Sequence, residues 1–144
     1  MRESLPQPLV LLRVGLIPRG EESMIVVRNW RDATPAVSHE SAIIWRILDE
    51  VGTEGMGEEE APLQGIQSLT IHRMQAGKSG DYHEHEDREQ VYYFTEGRAK
   101  MKIDGDIYEL KEGDAVCVPP KTKHQIINDS DDWVAHLIIT AWVR

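Results

Sequence analysis

The tripeptide His83-Glu84-His85 carries the clearest chemical signal in the chain. Side chains two apart in an extended segment point to the same side, so the two imidazoles converge on one point. Adjacent ligands of a metal ion need that convergence. A third imidazole, His124, follows the turn Pro119-Pro120-Lys121-Thr122 and opens another extended run. If that run returns beside the first, three imidazoles meet. Imidazole nitrogen suits first-row divalent ions, and a neutral or carboxylate oxygen could complete the set. Taken alone, a His-x-His among acids is as often a surface feature, and it is the third histidine that separates the two readings.

The elements that must position these residues read as short strands. Ile66–Met74 alternates, with Leu69 and Ile71 on one side and Thr70 and His72 on the other. Further strands are expected at Gln90–Thr95, Ala99–Ile103, Ile107–Leu110, Ala115–Val118, Gln125–Asn128 and Trp133–Val143. Turn chemistry separates them: Ala76-Gly77, Glu96-Gly97, Asp104-Gly105, Glu112-Gly113 and Asp129-Ser130. Asp-Gly between two apolar runs is a strong two-residue hairpin signal. So many short strands in about 80 residues define an all-β barrel or sandwich. Upstream, Met24–Trp30 reads as a strand. Ser41–Glu50 places Ile43, Ile44, Ile47 and Leu48 on one helical face, giving a short amphipathic helix, although its isoleucine content also suits a strand. The Gly- and acid-rich stretch Gly52–Pro62 reads as an exposed loop. The expected organisation is an N-terminal extension over residues 1–61, with strand, short helix and a possible dimer contact, followed by a β-barrel over 62–144.

The chain has 144 residues, a single domain's worth, and its 40% hydrophobic content can bury a core without disulfide or metal staples. Sixteen basic residues against 25 acidic ones give a net charge of −9, which argues against a binder of nucleic-acid backbones and of anionic membrane surfaces. One cysteine, Cys117, allows no internal disulfide and fits a reducing, cytoplasmic setting. Residues 8–17 are apolar, but Arg13 interrupts them, Pro18 follows, and no small-x-small cleavage site appears. Met24 offers an alternative start, with residues 1–23 as an upstream extension.

At this point the residues resemble a family, the cupins. The frame Gly-x5-His-x-His-x(3–4)-Glu-x6-Gly is met by Gly77, His83, His85, position 90 and Gly97, and Gly-x5-Pro-x-Gly-x2-His-x3-Asn is followed by Gly113, Pro119, Lys121, His124 and Asn128. The resemblance covers roughly residues 66–143. It implies a single-domain cupin, a double-stranded β-helix (jelly-roll) barrel, and one divalent transition metal ion (Ni, Zn, Mn or Fe) held by His83, His85, His124 and a fourth ligand. Two departures stand out. Lys121 replaces the turn glycine, and the glutamate position is Gln90 if Gly97 sets the register, with Glu89 as the alternative. Strand alternation favours Gln90, which shares a side with Tyr92 and Phe94. An all-neutral ligand set leaves the dication uncompensated, a stronger Lewis acid that binds less tightly. Cupins with Gln in that position include uronate-linearising sugar-acid enzymes, and single-domain polyketide cyclases are similar. Dioxygenase cupins usually carry Glu.

A metal needs a proton-handling partner to specify a reaction. His136 shares a side with Thr140 and Trp142 and is the leading candidate acid/base; a hydrogen-bonded or rim histidine is the alternative. Tyr92, and also Tyr82, could hydrogen-bond a substrate oxygen, though buried tyrosines in small barrels are often core. His72 is open to the same two interpretations as His136. Arg73 and Arg98 could hold a carboxylate, with exposed ion pairing the plainer expectation. Cys117 is expected in the core, and the acids from Asp81 to Glu89 are expected to be a solvated rim. The four tryptophans, Trp30, Trp45, Trp133 and Trp142, are expected to pack core or subunit contacts, and His39 gives no signal. The leading expectation is Lewis-acid catalysis on a small oxygenated substrate, sugar-acid or polyketide-like, of the isomerase, lyase or cyclase type. The alternatives are an iron-dependent dioxygenase and a non-catalytic binding module. A homodimer is expected from the resemblance.

Overall fold

The computed structural model describes residues 25–38 and 41–144. The apolar stretch 8–17, the Met24 start and His39 lie outside the described residues. Nine strands are described: β1 (Ala36–Ser38), β2 (Ala42–Asp49), β3 (Ile66–Met74), β4 (Arg88–Glu96), β5 (Arg98–Ile103), β6 (Asp106–Lys111), β7 (Ala115–Val118), β8 (His124–Ile127) and β9 (Val134–Trp142). A six-stranded sheet runs in the order β1-β2-β3-β9-β4-β7, and a three-stranded sheet in the order β6-β5-β8. All pairings are antiparallel. The two sheets share one core, in which Met74, Phe94, Val134 and Ile138 of the larger meet Ala99, Met101 and Ile126 of the smaller. Among the described residues no helix is long and apolar enough to cross a membrane.

The expected helix at 41–50 is instead β2, and residues 25–29 form no strand but lead into a single 3-10 turn at Trp30–Asp32. The reason for the first difference is a bulge. The register of β2 against β3 shifts between Arg46 and Leu48, so Ala42, Ile44, Ile47 and Asp49 all face inward and are buried. The extra residue puts Ile44 and Ile47 three apart on one face, which imitates helical spacing. Three isoleucines and a tryptophan suit the pleated surface better than a helix, because branching at Cβ restricts the side chain against the preceding helical turn.

The Asp104-Gly105 hairpin forms as its sequence requires. Ile103 pairs with Asp106, and both turn residues adopt the left-handed region, at φ 46° and 91°. Gly97, between β4 and β5, has φ 81°, and a Cβ there would stand 2.5 Å from the Trp133 carbonyl oxygen. That position therefore accepts glycine alone.

On the outer face of the large sheet the register aligns Cys117, Val91, Ile139, Leu69 and Leu48 in one row and Ala115, Tyr93, Leu137, Ile71 and Trp45 in the next. Cys117 is exposed rather than in the core. In the short apolar run Ala115–Val118 only Val118 is buried, and a pure apolar run has no readable inward phase.

Candidate metal centre

The inward side of the large sheet carries a ladder of mostly polar residues. On β4 these are Arg88, Gln90 and Tyr92, with Phe94 beyond them; on β9, Thr140, Ile138 and His136; on β3, Ser68, Thr70 and His72. Cross-strand pairing sets them in rows: Gln90, Thr140 and Ser68, then Tyr92, Ile138 and Thr70, then Phe94, His136 and His72. All of them except the core residue Phe94 line one cavity of about 780 Å³, within the usual range of small-molecule sites.

His83 and His124 meet because their backbones pair. The His83 amide donates to the His124 carbonyl at 3.1 Å, and the His124 amide returns a bond to the His83 carbonyl at 2.8 Å. The same segment bonds β8 again at Ser79, which stitches the 77–85 loop along the smaller sheet. His85 is fixed through its carbonyl, which accepts from the Lys121 amide at 2.6 Å. Lys121 takes the left-handed conformation with φ 59°, so the turn keeps a glycine-like geometry without the glycine. The outcome is three imidazoles whose ligand nitrogens all lie within 4.8 Å of one another. Asn128, at the end of the second motif, is buried and structural: its amide donates to the carbonyls of Met74, Gln75 and Asp132.

Second partners fix the tautomers. His83 Nδ1 donates to the Asp81 carbonyl at 3.1 Å, and His124 Nδ1 to the Thr122 carbonyl at 2.8 Å. A carbonyl only accepts, so both rings present Nε2 as an acceptor in their neutral form. His124 Nε2 nevertheless stands 3.1 Å from Gln90 Oε1, itself an acceptor. Gln90 Oε1 also accepts from the Tyr92 hydroxyl at 3.0 Å, while Gln90 Nε2 donates to Thr140 Oγ1 at 3.1 Å. Two acceptors facing each other at that distance need a positive charge between them, either a proton on Nε2 or a metal ion, and the two further imidazoles alongside suit the metal ion. The spacing matches neighbouring ligands with bonds of about 2.1 Å. The donor set therefore fits a divalent ion. Glu89, the alternative fourth ligand, is exposed on the opposite side of β4.

His136 is 1% exposed and packs against Tyr92, Phe94 and His72, with ring centroids at 5.6, 5.3 and 5.2 Å. Its Nδ1 is buried and has no hydrogen-bond partner. Burial pushes its pKa down to about 4, so the ring is neutral at pH 7. Burial pushes the Tyr92 hydroxyl up, which keeps it a donor. His72, across from His136 on β3, lies 3.0 Å from Thr70 Oγ1 through Nε2.

Other candidates lie elsewhere. Tyr82 is 39% exposed beneath Lys102 and Lys123. Arg73 pairs with Glu96 at 3.4 Å beside Trp133, and Arg98 is exposed at the start of β5. Three arginines that the sequence did not single out, Arg28, Arg46 and Arg88, line the cavity instead. Strand phase counted back from Gln90 would have found Arg88. Nothing in the sequence marks Arg28 or Arg46 as facing the cavity.

A family model described as Cupin domain matches residues 70–141, half of the chain, and the chain belongs to that family. An uncharacterized protein of Methanocaldococcus jannaschii is 40% identical over 62 residues, covering 43% of this chain; the chain spans about half the length of that curated relative. A Thermotoga maritima protein described as a predicted oxalate decarboxylase superposes with a TM-score of 0.69 at 16% identity, covering 82% of this chain and all of that one. KdgF from Halomonas sp. gives a TM-score of 0.56 at 18% identity, covering 76% and 87%. At these identities the two structures share the fold with this chain.

Proposed function

We propose that the chain is a divalent-metal-dependent cupin enzyme that acts on a small oxygenated substrate by Lewis-acid catalysis, of the isomerase, lyase or cyclase type. The observation that carries this reading is the approach of two acceptors, His124 Nε2 and Gln90 Oε1, at 3.1 Å inside a cavity also lined by His83 and His85. These four residues would hold the ion. Once bound, it would supply Lewis acidity toward a substrate oxygen.

The rest of the chemistry belongs to the chain. Tyr92 orients the Gln90 amide oxygen through its 3.0 Å bond and remains protonated. Thr140 holds the amide's other end and so fixes which atom faces His124. His136, held neutral by burial down to about pH 4, can accept a hydrogen bond from a substrate hydroxyl at any ordinary pH. The neutral amide in place of a carboxylate supports non-oxidative chemistry over oxygen activation. Anaerobic incubation of the reconstituted protein with hydroxy acids and keto sugars, followed by NMR, tests the reading. Conversion without oxygen is expected, whereas turnover that requires oxygen would overturn it.

The apolar rows on the outer face of the large sheet support pairing of two copies through that face. Sedimentation should give twice the chain mass; a monomer at micromolar concentration would contradict it.

A further inference from the structure

The cavity's arginines differ in what occupies them. Arg28 lies 3.5 Å from the Glu60 carboxylate. Arg46 is engaged at both ends by the buried Asp49, including a 2.9 Å bond from Nε to Oδ2. Arg88 stands apart. Among the described residues its guanidinium takes no hydrogen-bond acceptor, and its nearest carboxylate is Asp87, 3.8 Å from Nε and 62% exposed. An ion pair at that distance and exposure contributes little.

Arg88 is nevertheless held in place. Its guanidinium lies over the Trp142 ring at 5.2 Å, and the Trp142 indole donates to Glu50 Oε2 at 2.8 Å, which fixes the ring. Stacking buries Nε, leaving the fork of terminal nitrogens as the group that can take a partner. Arg88 sits two residues from Gln90 on the same inward side of β4, about 7 Å along the strand. A second atom at this end of the cavity lacks a partner: Gln67 Oε1, at the β3 bulge, is a buried acceptor with no donor. A positioned guanidinium without an acceptor and an amide oxygen without a donor together describe a ligand with a carboxylate and a hydroxyl.

We propose that Arg88 is the substrate's carboxylate site, so that the cavity takes a small hydroxycarboxylic acid with its carboxylate on the Arg88 guanidinium and a further oxygen directed toward Gln90 and the three imidazoles. This rests on the metal-enzyme reading and adds the substrate class to it. Arg88 selects acids over their neutral counterparts, because a carboxylate meets the fork with two parallel bonds whereas an amide offers one oxygen and no charge.

The test uses the zinc-loaded full chain and three matched pairs: glycolate, 3-hydroxybutyrate and gluconate, each against its primary amide. Binding is followed by calorimetry, and zinc content is measured on the same samples. At least one acid should bind the wild-type chain about 10- to 100-fold more tightly than its amide. Arg88→Gln should abolish that preference while zinc content stays equal to wild type, and Arg88→Lys should fall between them. The proposal is overturned if no acid binds, if acids and amides bind alike, or if Arg88→Gln keeps the preference. Should Arg88→Gln fail to fold, the wild-type comparison and Arg88→Lys still decide. A chain that takes no zinc yet shows the Arg88-dependent preference sinks the metal reading alone. A zinc-bound chain without the preference sinks only the carboxylate site.

Discussion

Acidification should destabilise the fold through His136 by an amount that the structure sets. The ring is 1% exposed, enclosed by Tyr92, Phe94 and His72, and its folded pKa is lowered from 6.5 to about 4. Unfolding exposes it to water, where it takes a proton more readily, so acid favours the unfolded chain. The loss starts as pH falls below 6.5 and is complete below about pH 4, where the folded ring is also protonated. Fully developed, it amounts to about 3 kcal/mol, most of which falls between pH 7 and pH 4.5. Denaturant melts of metal-stripped wild type and His136→Phe at both pH values isolate this contribution, since every other group titrates in both proteins. The wild type should lose about 2 kcal/mol more than the variant over that interval. Parallel losses would refute the buried, neutral imidazole, as would an NMR titration of His136 in the folded protein near pH 6.5.

Three further perturbations probe the scaffold and the donor set. Gly97→Ala should cost about 3 kcal/mol or more in denaturant melts, since it adds left-handed strain to a 2.5 Å approach to the Trp133 carbonyl. Lys121→Gly should raise the thermal midpoint by about 2 °C, because φ 59° strains a side chain that glycine lacks. A lower midpoint would mean that the Lys121 side chain contributes contacts of its own. Gln90→Ala should lower metal affinity about tenfold in a competition titration while Glu89→Ala leaves it unchanged; the reverse pattern would move the fourth ligand to Glu89.

Residue type and spacing alone mark much of this molecule. His83-Glu84-His85 and His124 declared themselves by phase and turn chemistry, and Asp104-Gly105 declared its hairpin because few other dipeptides suit that turn. What stayed hidden depended on partners distant in sequence. The β2 bulge reverses inward phase halfway along the strand, so its isoleucines mimic a helix. Cys117 sits in an apolar run without alternation. The pairing of His136 with His72 depends on β3 lying beside β9, and Arg88 looks like one more charge in an acidic stretch until Gln90 fixes the phase of β4.

The central claim is that His83, His85, Gln90 and His124 hold a divalent ion. Elemental analysis of untagged protein purified without chelator tests it most directly, alongside His83→Ala and His124→Ala with circular dichroism to confirm folding. The account predicts about one equivalent of a transition metal in the wild type and none in either folded variant. Wild-type protein that stays metal-free after reconstitution, or variants that keep the full equivalent, would contradict it.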